Sequence, residues 1–116
     1  MSKSNEAFWW SLFSAGGVMS ALFLPAIILV TGFLLPTTDS DLAAERYEHV
    51  SAVVGWWPVS IVLLGVMSLS MFHCVHRIRH VLMDFGLRRF DLLLMIVCYG
   101  GAFAGTLAAA ILLWKL

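Results

Sequence analysis

The run His73-Cys74-Val75-His76-Arg77-Ile78-Arg79-His80 gathers imidazoles and guanidiniums at the edge of a long apolar stretch. Kept helical, it sets His73, Arg77 and His80 on one stripe at spacings of four and three, with His76 beside them. Imidazole can donate or accept a hydrogen bond and guanidinium only donates, so the stripe supplies donors to oxygen acceptors. A second set, Trp9, Trp10 and Phe13, lies near the start of the chain. Aromatic walls beside N–H donors at an apolar boundary fit a quinone, whose ring and tail are lipophilic while its two oxygens need hydrogen bonds.

Each of these residues also has a plainer reading. Arg77 and Arg79 are spaced as cytoplasmic anchors, Trp10 as an interfacial belt residue, and His76 or His80 as interfacial hydrogen-bonding groups. His73 lies within the expected lipid boundary and could ligate a b-type haem. A bis-histidine site needs a second histidine, which no other expected span contains, so a partner would have to supply it and haem is not expected. Cys74 and Cys98 lack C-x-x-C spacing and are expected to be packing residues.

The elements that must position these groups follow from composition. Hydrophobic residues make up 61% of the 116 positions and charged residues 12%, against about 25% charged in an ordinary soluble domain. The charges are also segregated: none falls between Glu6 and Asp39, between Glu48 and Arg77 with His73 and His76 neutral, or between Asp91 and Lys115. A helix needs about 20 apolar residues to cross a hydrocarbon core of roughly 30 Å. All three gaps are long enough, which predicts an all-α membrane protein with spans near residues 15–35, 50–75 and 92–114. A closed barrel is excluded, because three such segments leave strand edges unpaired in lipid. The whole chain, 1–116, is expected to form one membrane-anchor domain. The first apolar run is longer than the roughly 7 to 15 residues of a cleaved signal and ends at Leu35-Pro36 without an A-x-A-like site, so it is expected to be retained.

Lys3, Arg77, Arg79, Arg88 and Arg89 fall on one side of this arrangement, Arg46 and Lys115 on the other. The positive-inside rule then places the N-terminus and the basic loop in the cytoplasm and the C-terminus outside. In the outer loop, Asp39-Ser40-Asp41 offers a cap for a short surface helix through Tyr47. Its acids Asp39, Asp41, Glu45 and Glu48 lack clustered His or Cys and a turn glycine, so a solvated connector is expected there and no metal site. Trp9, Trp10, Trp56, Trp57 and Trp114 all fall near span ends, where indoles bury the ring and keep the N–H near water. Pro25 and Pro58 predict local kinks. Gly101 and Gly105, with Gly100, Ala104 and Ala108, and Gly17 with Ala21, form small-residue stripes for close helix approach, within the chain or with a second protein. No Asp or Glu lies in any span, which counts against an ion-coupled transporter. The zero net charge gives no argument for nucleic acid.

Taken together, Trp9-Trp10-Ser11-Leu12-Phe13-Ser14-Ala15-Gly16-Gly17, then Ser20-Ala21, Pro25 and Leu35-Pro36, resemble the opening of the D subunits of fumarate reductase, a family of membrane anchors. The stretch His76-Arg77 to His80 and Asp84, before a third apolar span, is similar to that family too, and the likeness covers nearly the whole chain. It implies a multi-pass anchor in the bacterial inner (cytoplasmic) membrane, paired with a second hydrophobic anchor, the C subunit. Together they would hold a flavoprotein subunit and an iron-sulfur subunit on the cytoplasmic face. Quinol would give its electrons to the iron-sulfur subunit, and fumarate would become succinate at the flavin, so the chain would be no enzyme by itself.

Carried over by position, the resemblance gives Trp10, Phe13, Ser14, His76, Arg77 and His80 to a quinone pocket. Menaquinone or another quinone would bind at the interface with the partner subunits, with no covalent cofactor in this chain. Ser14 stands where glycine is expected and Arg79 where histidine is common. The acidic residue that takes the quinol proton belongs in this family to the partner anchor. Three alternatives stay open from the sequence: a haem-bearing succinate dehydrogenase anchor, a small membrane transporter and a purely structural anchor without a part in the quinone site.

Overall fold

A computed structural model describes the chain from residue 3 to residue 116, with side chains from residue 5 onward. The first helix, α1, spans Lys3–Leu29 and continues as a π-helical segment over Val30–Leu34. The Leu35 N–H donates to the Val30 carbonyl at 2.9 Å, the i→i−5 bond of that wider turn. Pro25 lies inside α1 without ending it, because lipid offers the flanking backbone groups no partner outside the helix. Hydroxyls along the helix are satisfied in the same way: Ser11 donates to the Ala7 carbonyl at 2.9 Å and Thr31 to the Ile27 carbonyl at 2.7 Å.

The end of this first span is capped from a distance. Pro36 cannot continue the ladder, and the Arg46 guanidinium donates from Nη1 to the carbonyls of Leu34 (3.1 Å), Leu35 (2.9 Å) and Pro36 (3.4 Å). The first two are the carbonyls of the helix's last residue and of its cap, which have no donor within the helix, and the third follows them.

Arg46 belongs to α2, Ser40–Gly55. Its cap is Asp39, whose Oδ1 accepts from the N–H of Asp41 at 3.0 Å and of Leu42 at 3.2 Å. The helix runs past the expected end at Tyr47, so residues 50–55, expected at the start of the second span, belong to α2 instead. The break comes at Trp56, in an extended conformation, and α3 spans Trp57–Asp84. Pro58 causes it: with no N–H, it leaves the Val54 carbonyl free, and the Ser60 hydroxyl takes that carbonyl at 2.5 Å. Pro58 therefore starts a helix and does not kink one.

α3 ends at Gly86, whose φ of 98° is the left-handed closing position that glycine alone adopts at no steric cost. A short 3₁₀ turn over Leu87–Phe90 leads into α4, Asp91–Trp114. Three helices are thus long and apolar enough to cross a membrane, over Asn5–Leu34, Trp57–Asp84 and Leu87–Trp114. The first and third begin nearer the N-terminus than the spans expected from charge gaps. The second begins later and runs to Asp84, because charged residues continue a helix beyond the lipid core without breaking it.

α3 is the middle element. It packs against α1 on one side and α4 on the other, and among the described residues α1 and α4 make no close approach to each other. The α3–α4 seam is built on small residues: Val66, Ala102 and Ala109 are buried, Gly105 faces Met71, and the Thr106 hydroxyl approaches that of Ser68 at 3.5 Å. The expected stripe therefore divides. Gly105 serves this seam, while Gly101, Ala104 and Ala108 are exposed. On the other seam Gly16, not singled out from its spacing, is buried, and Ser20 donates to Ser70 at 2.9 Å. Large apolar side chains point outward, as they must where lipid is the solvent and burying them gains little.

A Cβ on Gly16 would stand 2.6 Å from the Leu69 carbonyl oxygen and 2.9 Å from His73 Cβ, whereas one on Gly65 would meet nothing within 4 Å. Gly16→Val is therefore expected to weaken the fold by roughly 1–3 kcal/mol, the scale of overpacking against a fixed backbone. Gly65→Ala is expected to leave it intact, both read from the thermal unfolding of the detergent-solubilised protein.

Candidate functional site

Where α1 crosses α3, the side chains singled out above form a run of ring contacts. Trp10 meets Phe13 edge-on at 5.9 Å between ring centroids, Phe13 meets His76 at 4.8 Å, and His76 meets His80 at 4.4 Å. Phe13 also stacks on His73 at 4.4 Å. Trp10, Ser14 and His80 are exposed, while Phe13 and His76 are half-buried. The run is a wall with one face open.

Gly16 and Gly17 make this crossing possible. A Cβ on Gly17 would lie 2.9 Å from His73 Cε1, so the imidazole occupies the space a side chain would take. His73 Nδ1 is 3.0 Å from the Phe13 carbonyl oxygen, to which it donates as the N–H tautomer. The placement suits a side chain that joins two helices.

Arg77 stands apart. It is exposed and makes no hydrogen bond or ion pair among the described residues. Cys74 is exposed and Cys98 half-buried, both as free thiols. Of the expected stripe His73, Arg77 and His80, only the histidines take part in the ring contacts, and His76 is their centre. Ser14 neighbours Phe13 on the exposed side of α1.

Three other residues take part, Arg79 of the basic run and two residues of α4 that spacing alone does not identify. Tyr99 on α4 places its hydroxyl 2.6 Å from His76 Nδ1. The Arg79 guanidinium carbon lies 5.8 Å from the Tyr99 ring centroid. Arg79 in turn donates to Asp91 Oδ1 from Nε at 3.1 Å and from Nη2. A tyrosine inside an otherwise apolar span, and an acid twelve residues beyond an arginine across a glycine turn, were the signals available. Arg79 acts here as a brace between α3 and α4 as well as a positive charge.

The family model for the fumarate reductase D subunit matches residues 1–114. The chain belongs to the fumarate reductase D-subunit family. The D subunit of Vibrio parahaemolyticus fumarate reductase is 36% identical over 107 residues, covering 92% of this chain and 83% of that protein. That of Mycobacterium tuberculosis is 39% identical over 109 residues, covering 92% and 85%. No solved structure matches the chain. Membership makes this D-subunit chain a membrane anchor of fumarate reductase and, with its three apolar helices, a multi-pass protein of the bacterial inner membrane.

The brace in this anchor has a measurable consequence. The Arg79 side chain is 17% exposed and that of Asp91 49%, so solvent weakens the pair and its contribution is about 1 kcal/mol. Asp91→Asn is expected to speed tryptic cleavage at Arg88 and Arg89 in the detergent-solubilised protein by about fivefold. An unchanged cleavage rate would show that the turn is held by its backbone alone.

Proposed function

We propose that this chain anchors the flavoprotein and iron-sulfur subunits of fumarate reductase to the membrane and forms part of the site where quinol is oxidised. The observation that carries this reading is the ring wall itself: Trp10 and Phe13 of α1 converge with His76 of α3, and His76 with His80, at one end of the bundle. The aromatic rings suit the faces of a quinone, and imidazole N–H groups suit its oxygens. The open side of the wall calls for other subunits to complete the pocket, so menaquinone or a related quinone would bind between chains.

The same end of the bundle holds the start of α1 and the α3–α4 turn with Arg88 and Arg89. This supports an orientation with that end in the cytoplasm, where the iron-sulfur protein could receive electrons. Exposed Arg77 and Ser14 would face the quinone or the docked iron-sulfur protein. The exposed stripe Gly101, Ala104 and Ala108 offers close approach to a second hydrophobic anchor, the C subunit. Reduction of fumarate belongs to the flavoprotein, and this chain is non-catalytic by itself.

The test uses the complete complex, purified with parental flavin and iron-sulfur content. Trp10→Phe and Arg77→Leu are each expected to lower menaquinol-dependent fumarate reduction by about fivefold or more, the rate equivalent of one lost hydrogen bond or ring contact. Parental rates in both assembled variants would remove the two residues from the quinol site.

A further inference from the structure

Tyr99 is held from three sides. Its ring stacks on Phe72 at 6.5 Å between centroids, the Arg79 guanidinium carbon lies 5.8 Å from its centroid, and its hydroxyl is 2.6 Å from His76 Nδ1. Asp91 holds Arg79 through two donors. The string Asp91, Arg79, Tyr99, His76 is contained in this one chain and runs from the α3–α4 turn toward the ring wall.

A phenol and a neutral imidazole can share this hydrogen bond in two ways. Either the phenol O–H donates to Nδ1 and the ring hydrogen is on Nε2, or Nδ1–H donates to the phenol oxygen. The cation decides between them. Guanidinium has no acceptor, and its positive charge favours the phenol oxygen's lone pairs toward itself and the O–H dipole pointing away, toward His76. The short Arg79–Asp91 pair keeps the cation in place.

We infer that Tyr99 is a positioning residue that fixes His76 as the Nε2–H tautomer, so that the imidazole presents a hydrogen-bond donor to a quinone oxygen. This rests on the quinol-site reading above. Without the phenol, Nδ1 loses its donor, the two tautomers compete, and the ring is free to turn.

Tyr99→Phe keeps the ring and its stacking on Phe72. In the assembled complex, with flavin and iron-sulfur content at the parental level, it is expected to lower the kcat for menaquinol oxidation about tenfold, the rate equivalent of one hydrogen bond. His76→Gln supplies the control, since its amide N–H stands in for Nε2–H and needs no phenol to set a tautomer. On that background Tyr99→Phe is expected to cost less than about twofold, because residues acting as a unit are not additive.

An equal loss on both backgrounds would make Tyr99 a packing residue and overturn the inference, as would a parental rate for Tyr99→Phe. ¹⁵N NMR of the histidine-labelled complex, with the His76 signal assigned by its loss in His76→Gln, reads the tautomer without turnover. The ring hydrogen is expected on Nε2 in the parental protein and on both nitrogens in Tyr99→Phe; a parental signal with the hydrogen on Nδ1 would overturn the inference. Parental menaquinol rates in His76→Gln and His76→Ala alike would remove His76 from the quinol site, a failure of the underlying reading and not of the tautomer assignment alone.

Discussion

The crossing of α1 over α3 depends on two neighbouring residues that have no side chain. At Gly16 the Leu69 carbonyl and the base of His73 fill the place of a Cβ, and at Gly17 the His73 imidazole does. Only this approach lets His73 reach the Phe13 carbonyl and lets Phe13 lie against both His73 and His76. A side chain at Gly16 would meet the Leu69 backbone, lift α1 away and carry Phe13 and Trp10 with it, while one at Gly17 would displace the His73 imidazole. The ring wall is therefore a consequence of helix packing, set two turns or less from the glycines that permit it.

Lipid explains why so little else is buried. With hydrocarbon as solvent, a bundle gains little by hiding leucine or phenylalanine, and its cohesion comes from close backbone contact and from polar groups that find partners. The chain uses both. Small residues line the two seams of α3, and the side-chain polar contacts across those seams are few and specific among the described residues: Ser20 with Ser70, Thr106 with Ser68, His73 with the Phe13 carbonyl, His76 with Tyr99 and Arg79 with Asp91. Three of these five lie toward one end of the bundle, which couples its stability to the same residues that shape the candidate site. Arg46 does a related job at the opposite end by closing the first span.

Much of the architecture was legible in the sequence because charge is expelled from lipid, so the gaps between Glu6 and Asp39 and between Asp91 and Lys115 mark helices directly. The ends were less legible. A helix does not stop where the membrane does, so α1 begins before Ala15 and α3 passes beyond Val75 to a glycine turn. Val50 to Gly55 is apolar enough to resemble the start of a span, and only the missing N–H of Pro58 divides it from α3. At the candidate site, the aromatic and histidine residues stood out by type. Tyr99 and Asp91 did not, and Arg79 stood out only as a positive charge, because their joint significance lies in a contact between α3 and α4 that no spacing within one helix reveals. Small-residue spacing points to Gly17 and Ala21; Gly17 does lie against His73, but Ala21 is exposed, and the register of the seam places Gly16 and Ser20 inward instead.

One crossing thus sets both the fold's cohesion and the geometry through which this anchor would meet quinol. In the proposed site α1 and α3 jointly form a quinone wall, at the end of the bundle that holds the start of α1. Photolabelling of the intact complex with an azido-menaquinone, followed by peptide mapping, addresses it directly. Label is expected on the α1 peptide containing Trp10 and Phe13 and on the α3 peptide containing His76, and excess menaquinone should suppress both. Suppressible label found only on the partner subunits, or only near Pro36 and the C-terminal end of α4, would contradict that placement.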